Sequence, residues 1–137
     1  MKSNFIFIIL LFLISCEKKD ASIQPLLNTQ WFLTSIQNTK TNEITKFPDN
    51  LNPREYIIFK DPLNTLTVSG ICNGCGGTYS LNNDLISTSG LACTQIYCSQ
   101  WEDYLFYNLD SIFRYEIKND QLTIYSKGTY NLNFVSK

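Results

Sequence analysis

The sequence predicts an α+β domain: a small, largely antiparallel β-sheet, partly closed, with one amphipathic helix. Three observations carry that prediction. Short segments alternating apolar and polar residues recur from Trp31 to Phe134, bounded by Asn, Asp, Gly or Pro. Between Ser99 and Ile112 the apolar spacing changes, once, to a helical period. Every connection is short, so neighbouring strands run antiparallel. The helix can then cover the open face of the sheet or plug one end of a cracked, barrel-like sheet.

Ahead of this domain lies a leader. Met1-Lys2-Ser3 is a short positive segment, and Asn4 to Ile14 is almost wholly apolar. That run falls short of the ~20 residues a spanning helix needs and fits the core of a secretory signal. It ends in Leu13-Ile14-Ser15-Cys16, the pattern of a bacterial lipobox. The reading is a lipoprotein signal peptide over 1–15, a lipidated Cys16 with a tether over 16–26, and the folded domain over 27–137. An ordinary signal peptide with an incidental cysteine is the alternative. Acylation would anchor the chain in a membrane, each buried CH₂ contributing ~0.8 kcal/mol. The expected location is the cell envelope, at the outer membrane, facing the periplasm or the cell surface. Glu17-Lys18-Lys19-Asp20 suits either an export signal for surface lipoproteins or a solvated spacer.

Within the domain, Leu27 to Ile36 alternates with Trp31, Leu33 and Ile36 inward, a first strand. Gln37 to Asn52 is polar, a loop with one short strand at Ile44–Phe47. Arg54–Phe59 is β-branched and aromatic, and Thr65–Ser69 pairs with it across the Asp61-Pro62-Leu63-Asn64 turn. Thr78–Leu81 and Leu85–Ser87 form a hairpin around Asn82-Asn83-Asp84. Ser99-Gln100-Trp101-Glu102 is a capping box, in which Glu102 reaches back to the helix start. Trp101, Tyr104, Leu105, Leu109 and Ile112 give the helix that follows an apolar face over three to four turns, with Glu102 on the polar side. Arg114–Lys118 and Gln121–Tyr125 flank Asn119-Asp120 in the clearest hairpin, and Tyr130–Phe134 closes the domain.

Four of five cysteines fall between Gly70 and Cys98. Cys72, Cys75, Cys93 and Cys98 admit two disulfides, a four-thiolate zinc site, or a redox pair at Cys72-x-x-Cys75. An exported domain meets an oxidising compartment, which favours disulfides and no metal. Three pairings are open. Linking the two cysteine pairs to each other closes rings of about twenty residues, for which the first link contributes ~3 kcal/mol. The glycines beside these cysteines permit tight bends. They do not form a phosphate loop, since no Lys-Ser/Thr follows and no helix starts there.

At these residues the chain resembles the META/HslJ family. The resemblance rests on Cys72-Asn73, Gly77 and Tyr79, Leu91-Ala92-Cys93, the helix and the closing hairpin, with Leu27, Thr29, Trp31 and Leu33 fitting the family's first strand. Ile71 stands where the family has glycine and Ser89 where it has threonine; Cys75 and Cys98 are additions. The resemblance implies an antiparallel sheet wrapped around one helix. It also implies a Cys72–Cys93 disulfide, which leaves Cys75–Cys98 as the second bond. It further implies a role in envelope stress, antibiotic tolerance or secretion, without catalytic chemistry.

Composition narrows function further. The chain has 137 residues, 44 % hydrophobic and 14 % aromatic, enough for one cored domain. Net charge is −1, and Lys18-Lys19 is the sole basic block, so nucleic acid is not an expected partner. Histidine is absent, and with it the commonest general base and metal ligand. The reading is therefore a monomeric, non-enzymatic lipoprotein without cofactor, binding an envelope protein or an apolar ligand, its binding residues unassigned. An inhibitor of an envelope-attacking enzyme such as lysozyme is the alternative. A hydrolase is a third reading, if the fold brings two carboxylates together.

Overall fold

The computed structural model describes residues 25–52 and 54–137. The leader, Cys16 and nearly all of the tether lie outside the described residues. The strands are β1 (Trp31–Asn38), β2 (Ile44–Lys46), β3 (Tyr56–Lys60), β4 (Thr65–Ser69), β5 (Gly74–Asn82) and β6 (Leu85–Cys93), then, after α1 (Gln100–Leu109), β7 (Ile112–Lys118), β8 (Gln121–Ser126) and β9 (Tyr130–Ser136). From β3 to β9 each strand pairs with the next, and β1 sits between β3 and β9. This circuit of eight antiparallel strands is closed, where a partly closed sheet was expected. Short β2 is appended to β1.

Closure rests on β1 and β9, which pair from Trp31↔Ser136 to Asn38↔Tyr130. Joining ends so far apart in sequence leaves no unpaired edge in the circuit. The seams differ in strength. β6 and β7 share one ladder pair, Leu85↔Arg114, supported by the Tyr115 amide donating to the Asp84 carbonyl at 2.9 Å. Here the helix supplements the sheet: Thr88 Oγ1 donates to the Leu109 carbonyl at 2.6 Å.

Alternation fills the barrel. Trp31, Leu33, Ile57, Phe59, Leu66, Val68, Leu122, Ile124, Leu132 and Phe134 point inward and are essentially solvent-free, each contributing roughly 1.5–3 kcal/mol. Helix α1 adds Trp101, Leu105 and Leu109 to this core. Trp101 packs on Phe47, with ring centroids 5.0 Å apart. The helix is ten residues long, under three turns, and Ile112 already belongs to β7. Asparagine supplies the left-handed residue at the hairpin turns, with φ of 51°, 56° and 57° at Asn64, Asn83 and Asn119.

The glycine-rich stretch is strand rather than bend. Gly74, Gly76 and Gly77 lie in β5. A Cβ on Gly77 would come within 2.8 Å of Leu91 Cδ2 and 2.9 Å of the Ser89 carbonyl. Glycine there serves close approach at the β5–β6 bulge between Gly76 and Thr78.

Candidate functional site: a braced loop beside the helix

Register decides the disulfides. Cys75 and Cys93 are direct partners across β5–β6, with Cα atoms 4.1 Å apart, and they are bonded. Cys72 precedes β5 in a turn, where it bonds to Cys98 just ahead of the helix, Cα–Cα 6.3 Å. The Cys72–Cys93 and Cys75–Cys98 pairing implied by the family resemblance is therefore corrected. Once Cys93 faces Cys75 in the ladder, Cys72 lies beyond the strand end and meets the chain where it turns into α1.

Four residues stand between the two bonds: Thr94, Gln95, Ile96 and Tyr97. Their backbone is pinned from beneath. The Asn73 side chain donates through Nδ2 to the Ile96 carbonyl at 2.5 Å and accepts from the Ile96 amide at 2.9 Å. The Gly74 amide donates to Thr94 Oγ1 at 3.1 Å, and the Thr94 amide to the Gly74 carbonyl at 3.0 Å.

Asn73 is itself held by Glu102. The capping box does not form: Ser99 caps the helix, but its Oγ accepts from the Trp101 amide at 3.1 Å rather than from the Glu102 amide. Glu102 does not reach back. Its carboxylate accepts instead from the Cys72 amide at 2.6 Å, the Asn73 amide at 2.9 Å and Asn73 Nδ2 at 2.6 Å. A Cβ on Gly70 would overlap this carboxylate, approaching Glu102 Cγ to 2.7 Å. Although placed on the polar side of the helix by sequence, Glu102 is only 2 % exposed. Burial alone would raise its pKa, but the donors from Asn73, Cys72 and Ile71 more than offset that and hold it below the usual carboxylate range.

A second buried acid lies nearby. Glu55 is fully buried, and neither carboxyl oxygen has a hydrogen-bond partner. Desolvation, reinforced by the charges of Glu102 and Asp103, pushes its pKa up to about 8. The fold thus brings two glutamates from distant parts of the chain into electrostatic contact. Both are closed to solvent, one held neutral and the other saturated with donors. Sequence reasoning missed Glu55, yet the alternation that turns Ile57 and Phe59 inward turns Glu55 inward as well.

The sulfurs of Cys72 and Cys98 lie with a Glu102 oxygen in a cluster within 4.8 Å, a ligand-like set. With those sulfurs joined, and Cys75 joined to Cys93, the four-thiolate zinc arrangement is not available to this state of the protein.

The open part of the site is a groove of about 480 Å³ between the braced loop and the outer face of α1. Ile96, Tyr97 and Tyr107 line it at 66 %, 85 % and 77 % exposure. Along the helix and its C-cap, Asp103, Phe106, Tyr107 and Asp110 fall at i, i+3, i+4 and i+7, one stripe that lines the groove, with Phe106 also packed against the core.

A closed antiparallel barrel with one end-packed helix and a disulfide-braced loop defines a small β-barrel scaffold with a presented surface. The chain belongs to the META domain family, whose profile matches residues 24–137. None of the curated proteins matches it. Among solved structures it is similar to a protein from Burkholderia xenovorans determined by NMR, with a TM-score of 0.67 and 18 % identity over 82 % of this chain and 83 % of that one. It is also similar to a DUF4847 family protein from Bacteroides vulgatus, with a TM-score of 0.58 and 10 % identity over 80 % and 93 % of the two chains. At such identities the likeness is one of fold. No helix among the described residues is long and apolar enough to cross a membrane.

Proposed function

We propose that this META domain is a non-enzymatic, lipid-anchored module of the cell envelope that binds a partner protein through the braced loop, in the stress, tolerance or secretion setting implied by the family. The observation that carries the proposal is the loop itself. Thr94–Tyr97 is bonded covalently at both ends, hydrogen-bonded in the middle, and presents two large exposed side chains. Such a loop loses little conformational freedom on binding, the cost that most weakens loop-mediated recognition. The filled barrel interior favours an external surface over an internal apolar-ligand cavity. Burial of both Glu55 and Glu102 supports a binding role over a hydrolase built on that pair. The lipobox supports attachment at Cys16 and an outer-membrane location.

The test is site-specific photo-crosslinking in cells of the source bacterium, with the probe placed at Tyr97 or, as control, at Lys118 in the distant β7–β8 turn. A discrete adduct from position 97 alone is expected. Equal labelling from both positions, or none from 97, would defeat the reading. Cys16→Ser should abolish palmitate labelling and move the protein out of the membrane fraction. The same rigid loop favours a second reading, an inhibitor inserting into an envelope-attacking enzyme. Loss of lysozyme activity on adding the protein, relieved by Tyr97→Ala, would select it.

A further inference from the structure

We infer that the groove between the braced loop and α1 takes an extended segment of a partner protein carrying basic residues, with Lys or Arg at two positions four apart, on one side of the segment, and an apolar residue midway between them. The inference rests on the binding role proposed above and adds the chemistry of the partner.

Charge complementarity selects the occupant. Glu102, Asp103 and Asp110 line the groove, and among the described residues no Lys or Arg does. Glu102 lies beneath the groove with its carboxylate engaged by the Cys72 and Asn73 donors, so the accessible negative charge is that of Asp103 and Asp110. Asp103 and Asp110 stand at either end of the helical stripe. They are two turns apart, about 10 Å along the axis. In an extended segment at ~3.3 Å per residue, side chains on one face recur at every second position, so two basic residues four apart span about 13 Å on that face and their long side chains close the difference. Between the two aspartates lie Phe106 and Tyr107, faced across the groove by Ile96 and Tyr97. Exposed tyrosine faces accept apolar side chains and also attract guanidinium or ammonium groups. A neutral glycan would stack on the rings and donate its hydroxyls to the carboxylates but would leave their charge unpaired. An acidic segment would be repelled.

The probe is a fluorescein-labelled peptide, Gly-Ser-Arg-Ser-Leu-Ser-Arg-Gly-Ser, titrated with the full chain in non-ionic detergent and read by anisotropy. Peptides with Gln or Glu replacing both Arg residues are the controls. The Arg peptide should bind at least tenfold more tightly than the Gln peptide, and the Glu peptide should not bind. The D103N/D110N double variant should lose at least tenfold in affinity for the Arg peptide, and 0.5 M salt should weaken wild-type binding. Both positions lie on the outer helix stripe, so circular dichroism should show an unchanged fold. Y97A should weaken the Arg peptide while leaving its preference over Gln intact. Equal affinity for the Arg and Gln peptides, indifference to D103N/D110N, a chito-oligosaccharide competing at this face, or self-association of the chain through it would each overturn the inference. If the Arg peptide fails while crosslinking at position 97 persists, the partner chemistry is wrong and the binding role stands. If both fail, the binding role falls as well.

Discussion

Glu55 and Glu102 are buried in the same neighbourhood and resolve burial in opposite ways. Glu102 is met by two backbone amides and the Asn73 side chain, and it keeps its charge. Glu55 is met by no donor and stays protonated across most of the neutral range. Desolvation acts against ionisation of both, so the supply of donors, more than depth, sets the charge. The donors come from the Gly70–Asn73 turn, closed by the Gly70 amide on the Asn73 carbonyl at 2.7 Å. Glycine at 70 leaves room for the carboxylate. One glutamate thus holds the loop that presents the groove, while the other carries a carboxyl into the core with no hydrogen-bond partner for it.

The largest expected effect breaks the comparison from the Glu55 side. Its folded pKa is raised from 4.5 to about 8. Between those values the unfolded chain has released a proton that the folded chain keeps. Stability is therefore greatest below pH 4.5 in this respect and falls as pH rises, by about 1.4 kcal/mol per unit, until it levels off near 8. Glu55→Met, similar in volume and without charge, should remove that slope. At pH 8 it should be more stable than wild type by several kcal/mol, on the order of 4. Urea melts at pH 5, 6.5 and 8 read this directly; parallel slopes for both proteins would show that Glu55 ionises freely.

Next comes Glu102→Ala, which strands the Cys72 and Asn73 amides and the Asn73 side chain. Each buried donor left unsatisfied costs about 1–3 kcal/mol, so a loss of about 3 kcal/mol in urea denaturation is expected, with faster amide exchange at Asn73 and Ile96. Gly70→Ala should have the smallest effect, about 2 kcal/mol, by crowding the Glu102 carboxylate. In the Glu102→Ala background that loss should largely vanish. Additive losses would show that Gly70 serves something other than this carboxylate.

The residues that could be read from sequence are those whose partners are local. The Asn83 and Asn119 turns, the β3–β4 and β7–β8 hairpins and the apolar face of α1 all follow from spacing within about a dozen residues. What was not legible depends on meetings across the chain. Nothing near Trp31 announces Ser136 as its partner, so the sheet read as partly open. The Cys75–Cys93 bond follows from a β5–β6 register that extends well past the short hairpin the sequence suggested. Glu102 sits at a position where a capping box is the local solution, and a distant turn with more donors prevails over it. The groove was hidden for a related reason. Tyr107 and Phe106 read as ordinary helix residues until the braced loop rises beside them.

The pairing of the first long strand with the last also sets a timetable. Trp31 and Leu33 leave the ribosome about a hundred residues before Phe134 and Ser136, the residues they face. Until Tyr130 onward has been made, β1 lacks its longest ladder and the circuit stays open. Hairpins such as β7–β8 can form as they emerge, but the barrel waits for its final strand. A nascent chain of this protein is thus kept in an unfinished, threadable form for nearly the whole of its synthesis.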